Sequence, residues 1–268
     1  MDTDPEQLRN LAVQAGVSAG ALLLRFAADL AAGGDLDVAH KSSATDPVSV
    51  ADAAAERAIV ERLTGALPDD GILGEEGEDQ RHGTTGRRWV IDPLDGTVNF
   101  LYGQPLWCVS IACVDAAGVL AGAVVHPPSG EVFSAARGGG AWRDEQRLEV
   151  TRPAGLSQAL IATGFSYRGA VRADWGRVVA GLLSEVRDIR RGGAAALDLA
   201  WVAAGRLDGY VEFALQPWDW AAGRLLVEEA GGQVTEVSHD LGGTREQGLV
   251  AGSAGVHAAL LARVEELL

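Results

Sequence analysis

The chain has 268 residues, 47% of them apolar, which suits one large or two small globular domains and excludes disorder as its main state. Its 37 acidic and 22 basic residues leave a net charge of −15, which speaks against nucleic acid as the principal partner, since phosphate backbones are bound by basic surfaces. The longest charge-free run, residues 96–114, is interrupted by Asn99, Gly103, Gln104 and Pro105, so no membrane span is expected.

From Glu6 to Ala32 apolar residues recur at intervals of three and four, which predicts a long amphipathic helix stopped by Gly33 and Gly34. Ser49 and Asp52 resemble a capping box for a second helix running to Leu67. Short apolar runs then alternate with glycine-rich turns: Ile72-Leu73, Trp89 to Ile91, Trp107 to Val114, Val119 to Val125, and Val132-Phe133. This block reads as a sheet with hairpins. Beyond Thr151 the pattern predicts strands at Ala159 to Thr163 and Tyr210 to Phe213. Helices are expected at Asp174 to Ser184, Ala194 to Ala204, Trp220 to Ala230 and Val256 to Leu268. The alternation indicates α/β layering, and no linker divides the chain. We therefore expect one domain over 1–268, with subdomains near 1–150 and 151–268.

The two cysteines, Cys108 and Cys113, sit an odd number of residues apart in one apolar run, which places them on opposite faces of a strand and argues against a mutual disulfide. With no signal peptide at the acidic N-terminus, a cytoplasmic location is the simplest expectation. The basic residues are 21 arginines and one lysine, Lys41, and the only asparagines are Asn10 and Asn99. In a composition that avoids both residue types, Lys41 and Asn99 stand out, and both fall inside motifs that carry chemistry.

Three acidic clusters dominate those motifs: Glu75-Glu76, Asp92-Pro93-Leu94-Asp95-Gly96-Thr97, and Trp218-Asp219. The second comes after the apolar run Trp89 to Ile91, so Asp92 should emerge from a strand end, and Pro93 and Gly96 should shape a turn that returns Asp95 beside it. Carboxylates held that close repel unless a cation sits between them. Hard oxygen ligands suit Mg²⁺, which keeps positions open for water and phosphate. Gly96 and Thr97 open a helix toward Tyr102, whose free N–H groups attract phosphate. Taken singly, an Asp-Gly is a turn, a Glu-Glu pair is a solvated surface, and Asp219 is equally an N-cap. The five histidines show no metal-ligand spacing, and neither a Gly-x-Ser-x-Gly elbow nor a P-loop is present.

Together the clusters resemble the inositol monophosphatase family. The likeness runs through Gly74-Glu75-Glu76, the segment Trp89 to Phe100, and Trp218-Asp219 with Glu228 to Gly232. It extends upstream to Lys41-Ser42-Ser43 and Asp46 to Asp52, and downstream to Arg190 to Leu199 and Asp208 to Glu212. The resemblance implies a five-layered αβαβα sandwich and up to three Mg²⁺ ions held by Glu75, Asp92, the Leu94 carbonyl, Asp95 and Asp219. It implies that Thr97, hydrogen-bonded to Asp52, orients the attacking water, with Glu75 and Asp95 also in the catalytic set. Gly96 and Thr97 would hold phosphate through backbone N–H groups, with Lys41 near the phosphate or the third metal. Ala195, Glu212 and Asp219 match substrate-contacting positions, and Gly193 and Ala194 would line the same pocket. Departures are Val98 where Thr is frequent, Gly77 where Ser often succeeds Glu-Glu, and Ser49 where Thr is usual; none removes an expected ligand.

The activity implied by the resemblance is Mg²⁺-dependent, lithium-sensitive hydrolysis of a small phosphate monoester, myo-inositol 1-phosphate first, by a homodimer. Histidinol phosphate and fructose 1,6-bisphosphate are alternatives on the same catalytic core, and a regulatory or binding role is the alternative from another class.

Overall fold

A computed structural model describes residues 4–33, 39–40, 47–48, 50–77 and 80–268. Helix α1 (Pro5–Ala31) starts with Asp4 accepting from the Glu6 N–H at 3.1 Å and with proline in its first turn, both favourable at a helix N-terminus. Strands β1 (Ala39–His40) and β2 (Pro47–Val48) pair antiparallel, and α2 (Val50–Ala66) comes next. The expected cap at Ser49 lies outside the described residues.

The first sheet contains seven strands in sequential order: β3 (Gly71–Gly74), β4 (Arg88–Asp95), β5 (Cys108–Asp115), β6 (Gly118–His126), β7 (Glu131–Ala136), β8 (Gly140–Arg143) and β9 (Gln146–Arg147). Only β3 and β4 run parallel. Helix α3 (Thr97–Leu101) interrupts the path from β4 to β5. After a short 3₁₀ turn, the chain continues through β10 (Leu160–Ala162), α4 (Gly169–Leu182), β11 (Asp188–Arg190), α5 (Ala195–Ala203), β12 (Gly209–Phe213) and α6 (Pro217–Glu229). It finishes with β13 (Gln233–Leu241), β14 (Thr244–Gly252) and α7 (Ala254–Leu267). These strands form a second sheet in the order β11-β10-β12-β14-β13.

Three apolar clusters lie between layers. One joins α1 and α2 to the first sheet, a second packs α5 and α6 between the two sheets, and a third joins the second sheet to α4 and α7. The result is the αβαβα layering. By length and composition alone α1 could cross a membrane, a feature the charge-free-run criterion did not register. In the fold, α1 lays a small-residue face on β6: a Cβ on Gly16 would come within 2.7 Å of Val125 Cγ2.

The expected helices shift only at their ends, as with α4, which begins at Gly169 rather than Asp174. The hairpin β13–β14 and strand β11 have no counterpart in the sequence reading. Cys108 faces the α5/α6 layer and Cys113 the α1/α2 layer, both as free thiols.

Candidate active site

Strand alternation alone would put Asp92 and Asp95 on opposite faces of β4, since they are three residues apart. The ladder avoids this with a bulge: Asp92 pairs with Ser110 and Asp95 with Cys108, so Pro93 and Leu94 together oppose Val109. Proline suits the irregular position because it has no N–H to satisfy. Both carboxylates therefore face α5 and α6, whereas Leu94 packs with Trp89 and Ile91 on the α1/α2 side. The Leu94 N–H donates to Asp92 Oδ1 at 3.0 Å. Asp95 accepts from the N–H groups of Ala195 at 3.2 Å and Ala196 at 2.8 Å, at the start of α5. Cys108 Sγ donates to the same carboxylate at 3.5 Å.

Gly96 then turns the chain with φ of +91°, and a Cβ there would lie 2.7 Å from the Leu106 carbonyl oxygen, so only glycine fits without displacement. Thr97 Oγ1 lies 3.1 Å from Asp52 Oδ1 and 3.1 Å from the Leu94 carbonyl oxygen. Its single proton serves one of these acceptors at a time. Glu75 succeeds β3 in a loop anchored by Glu56, whose Oε2 accepts from the Glu76 N–H at 3.0 Å. Gly74 leaves the room for Glu56, since a Cβ there would overlap the carboxylate at 2.3 Å.

Asp219 is the third residue of α6 and not its N-cap, a position held by Gln216. The Gln216 N–H donates to Asp219 Oδ2 at 2.7 Å, the reciprocal half of a capping box. Ser110 Oγ donates to the Trp218 carbonyl at 3.2 Å, tying β5 to the start of α6. Thus one helix terminus brings Asp219 to the strand bearing Asp92.

These groups surround a cavity of about 640 Å³. Glu75, Asp92, Asp95 and Asp219 form one wall, and Gly96, Thr97 and the Leu94 backbone adjoin them. Glu212, Gly193 and Ala195 line the same cavity, with the Ala195 N–H on Asp95. Ala194 is not among the lining residues; its side chain is buried and packs toward Gly96. Lys41 lies outside the described residues.

Burial is the largest cause raising the Asp92 carboxyl well above its ordinary range, with repulsion from Glu75, Asp95 and Asp219 adding to it. Asp219 is raised the same way, first by burial and then by Glu75. Asp95 is pushed up to about 6 by burial, against the pull of the Ala196 N–H. Among the described residues, the leading influences on these three carboxyls are burial, neighbouring carboxylates and hydrogen-bond donors. Among the described residues, no three His, Cys, Asp or Glu side chains already close around one point. The donor set is an open acidic wall, and it fits a hard cation whose remaining positions are filled by water and substrate oxygens.

Several residues of this site were not singled out by the motifs. Glu56 sits one turn after Asp52 on the same buried face of α2, an i,i+4 acidic pair at core positions that the sequence does display. Tyr210 is fully buried and donates its hydroxyl to Glu212 Oε2 at 2.7 Å. Gly164 lies directly against that carboxylate, where a Cβ would approach Oε2 to 2.1 Å. Glu212 opens to the cavity but is enclosed by protein elsewhere, and this burial pushes it up to about 7. Asp198 is buried nearby and raised by burial and by Glu212.

A layered two-sheet α/β fold with a carboxylate-lined cavity at the first sheet's bulge defines the class. The chain belongs to the inositol monophosphatase family, whose model matches residues 4–268. It is 44% identical to an inositol-1-monophosphatase of Mycobacterium leprae, over 98% of this chain and 95% of that protein. It is 46% identical to a protein of Xylella fastidiosa named Nus factor SuhB, over 85% of this chain and 81% of that one. The crystal structure of the extragenic suppressor protein suhB from Bartonella henselae superposes with a TM-score of 0.87 at 38% identity, covering 97% of this chain and 99% of that one. The family is in general metal-dependent.

Proposed function

We propose that the chain is a Mg²⁺-dependent phosphatase acting on a small phosphate monoester, with myo-inositol 1-phosphate as first candidate. The observation that carries this reading is the cavity itself, a space of about 640 Å³ lined by Glu75, Asp92, Asp95 and Asp219 together with Glu212. Glu75, Asp92, Asp95, Asp219 and the Leu94 carbonyl would hold two or three Mg²⁺ ions. When bound, such ions lower the pKa of a water and offset charge on the phosphoryl and leaving oxygens.

The chain's own groups do the rest. Thr97 Oγ1, with Asp52 behind it, is placed to accept from and orient a water. The first N–H groups of α3 have no partner within the helix and can donate to phosphate oxygens. Glu212 can accept hydrogen bonds from substrate hydroxyls, which favours a polyol over an apolar leaving group. In-line attack by water needs no covalent intermediate on the protein.

Histidinol phosphate and fructose 1,6-bisphosphate are the nearest alternatives. A non-enzymatic regulatory role is prompted by the name of the Xylella relative, yet such a role would not require the acidic wall to be intact. Phosphate release from the three monoesters, with Mg²⁺ and with EDTA, tests the proposal. Fastest release from inositol phosphate, abolished by EDTA and slowed by Li⁺ or Ca²⁺, is expected. Undiminished release in EDTA, or none from any monoester, would refute it.

A further inference from the structure

Residues two apart on a strand share a face, yet Phe213 at the end of β12 packs in the cluster beside α4 and α7, whereas Leu215 packs in the cluster between the two sheets. Ala214 makes the switch between them with φ of +66°. Its N–H donates to the Gln247 carbonyl at 2.7 Å, and the Leu215 N–H donates to the same oxygen at 3.3 Å, which holds the reversal in place. Pro217 then restricts Gln216 to extended backbone, with φ of −103° and ψ of 161°, and α6 begins. The path from β12 to α6 is therefore fixed at both ends.

Among the described residues fourteen glycines take positive φ, and only two other residues do, Asp144 and Ala214. Asp144 is exposed in the turn between β8 and β9, and aspartate tolerates the left-handed region. Alanine is strained there, because its Cβ crowds the carbonyl oxygen that follows. Glycine would make the same turn without that cost. Strain of this kind persists where the surroundings over-determine the backbone, and it concentrates at functional sites.

Ala214 lines the cavity, as Glu212 and Leu215 do. It also packs against the cluster beside α4 and α7, a double placement it shares with Phe165. Phe165 comes directly after Gly164, which abuts the Glu212 carboxylate, and Ala214 lies two residues after Glu212. Both apolar groups thus border the carboxylate proposed to receive substrate hydroxyls.

We infer that Ala214 is a specificity-determining residue: its methyl sets how much room a leaving group has beside Glu212, so that compact groups are accepted and broader ones refused. A polyol ring has C–H faces between its hydroxyls, and a methyl on fixed backbone can pack on one of them while Glu212 accepts from the hydroxyls. This inference rests on reading the cavity as a phosphomonoesterase site.

Ala214→Gly and Ala214→Asn separate size from strain, because glycine and asparagine both fit the left-handed region and change the volume in opposite directions. Phosphate release in Mg²⁺ is measured with phenyl phosphate and 1-naphthyl phosphate, which share their chemistry and differ in breadth, and with myo-inositol 1-phosphate. Ala214→Gly should raise the naphthyl-to-phenyl ratio of kcat/KM about tenfold, the effect of one carbon in a pocket, and should raise KM for inositol phosphate. Ala214→Asn should lower the ratio. A ratio within about twofold of the native value in Ala214→Gly would overturn the inference, whatever the larger variant does. A ratio that moves the same way in both variants would assign the effect to the relieved backbone and overturn it as well. Release from none of the three compounds by the native protein would remove the phosphatase reading and this inference together, whereas release with an unchanged ratio removes the size limit alone.

Discussion

Asn99 Nδ2 lies 2.9 Å from the carbonyl oxygen of Gly192, a residue 93 positions later, and 2.6 Å from the carbonyl oxygen of Leu106. One buried amide thus joins the helix after the aspartate motif to the loop that enters α5. That loop places the Ala195 and Ala196 N–H groups on Asp95, so the amide indirectly orients the Asp95 carboxylate. Asn99→Leu would leave two buried carbonyls without their donor, costing about 2 kcal/mol. The melting temperature should drop by roughly 4 °C, and Mg²⁺ should be needed at higher concentration for half-maximal activity. An unchanged Mg²⁺ requirement in a folded variant would show that the amide only packs.

Asp95→Asn and Asp219→Asn retain side-chain volume and one acceptor oxygen, so the link to α5 and the capping box at α6 survive in part. Each should lower kcat by two or more orders of magnitude with circular dichroism unchanged, because removing one charge weakens the cation while the remaining ligands still repel one another. Near-native turnover of either variant at saturating Mg²⁺ would withdraw that residue from the metal set.

Tyr210 and Glu212 should act as a unit. The tyrosine hydroxyl holds one oxygen of a carboxylate that lines the cavity. Glu212→Gln should raise KM for inositol phosphate about tenfold, and Tyr210→Phe about threefold, with little change in kcat. Hydrolysis of an aryl phosphate, which offers no hydroxyls, should hardly respond. Steady-state kinetics of the double variant decide the coupling: independent, additive losses would mean that Tyr210 does not act through Glu212.

The Glu212 carboxyl titrates at about 7 in the folded protein against an ordinary 4.5. Between these values the folded state holds a proton that the unfolded chain has lost, so this group's contribution to stability is complete below about pH 4.5 and declines as pH rises through 7. Allowing for cavity water, the loss is roughly 2 kcal/mol. In metal-free buffer, Glu212→Gln should therefore gain roughly 4 °C in melting temperature relative to the native protein between pH 5 and pH 8. A constant difference across that range would contradict the burial-driven shift.

The acidic motifs were legible in the sequence because their chemistry is local: Asp92, Pro93, Asp95 and Gly96 declare a turn bearing charge wherever the rest of the chain runs. Glu212 was legible only through likeness to a family, and its supports Tyr210 and Gly164 were not, because Gly164 meets it from 48 residues away. Strand β13 went unread because its residues are mostly half-exposed and polar, giving little apolar alternation. Its partner turn did carry a signal, since Gly242 and Gly243 both take positive φ, the signature of a tight hairpin.

The bulge in β4 has one further effect, on the balance of donors and acceptors in the main chain. Two residues oppose one there, so the ladder cannot consume all their polar groups. Pro93 contributes no N–H, and that of Leu94 goes to Asp92, which leaves oxygens as the surplus. The Leu94 carbonyl is one of them, within reach of the Thr97 hydroxyl. Replacing Pro93 by alanine would introduce an N–H donor into that surplus, although no carboxylate had been touched.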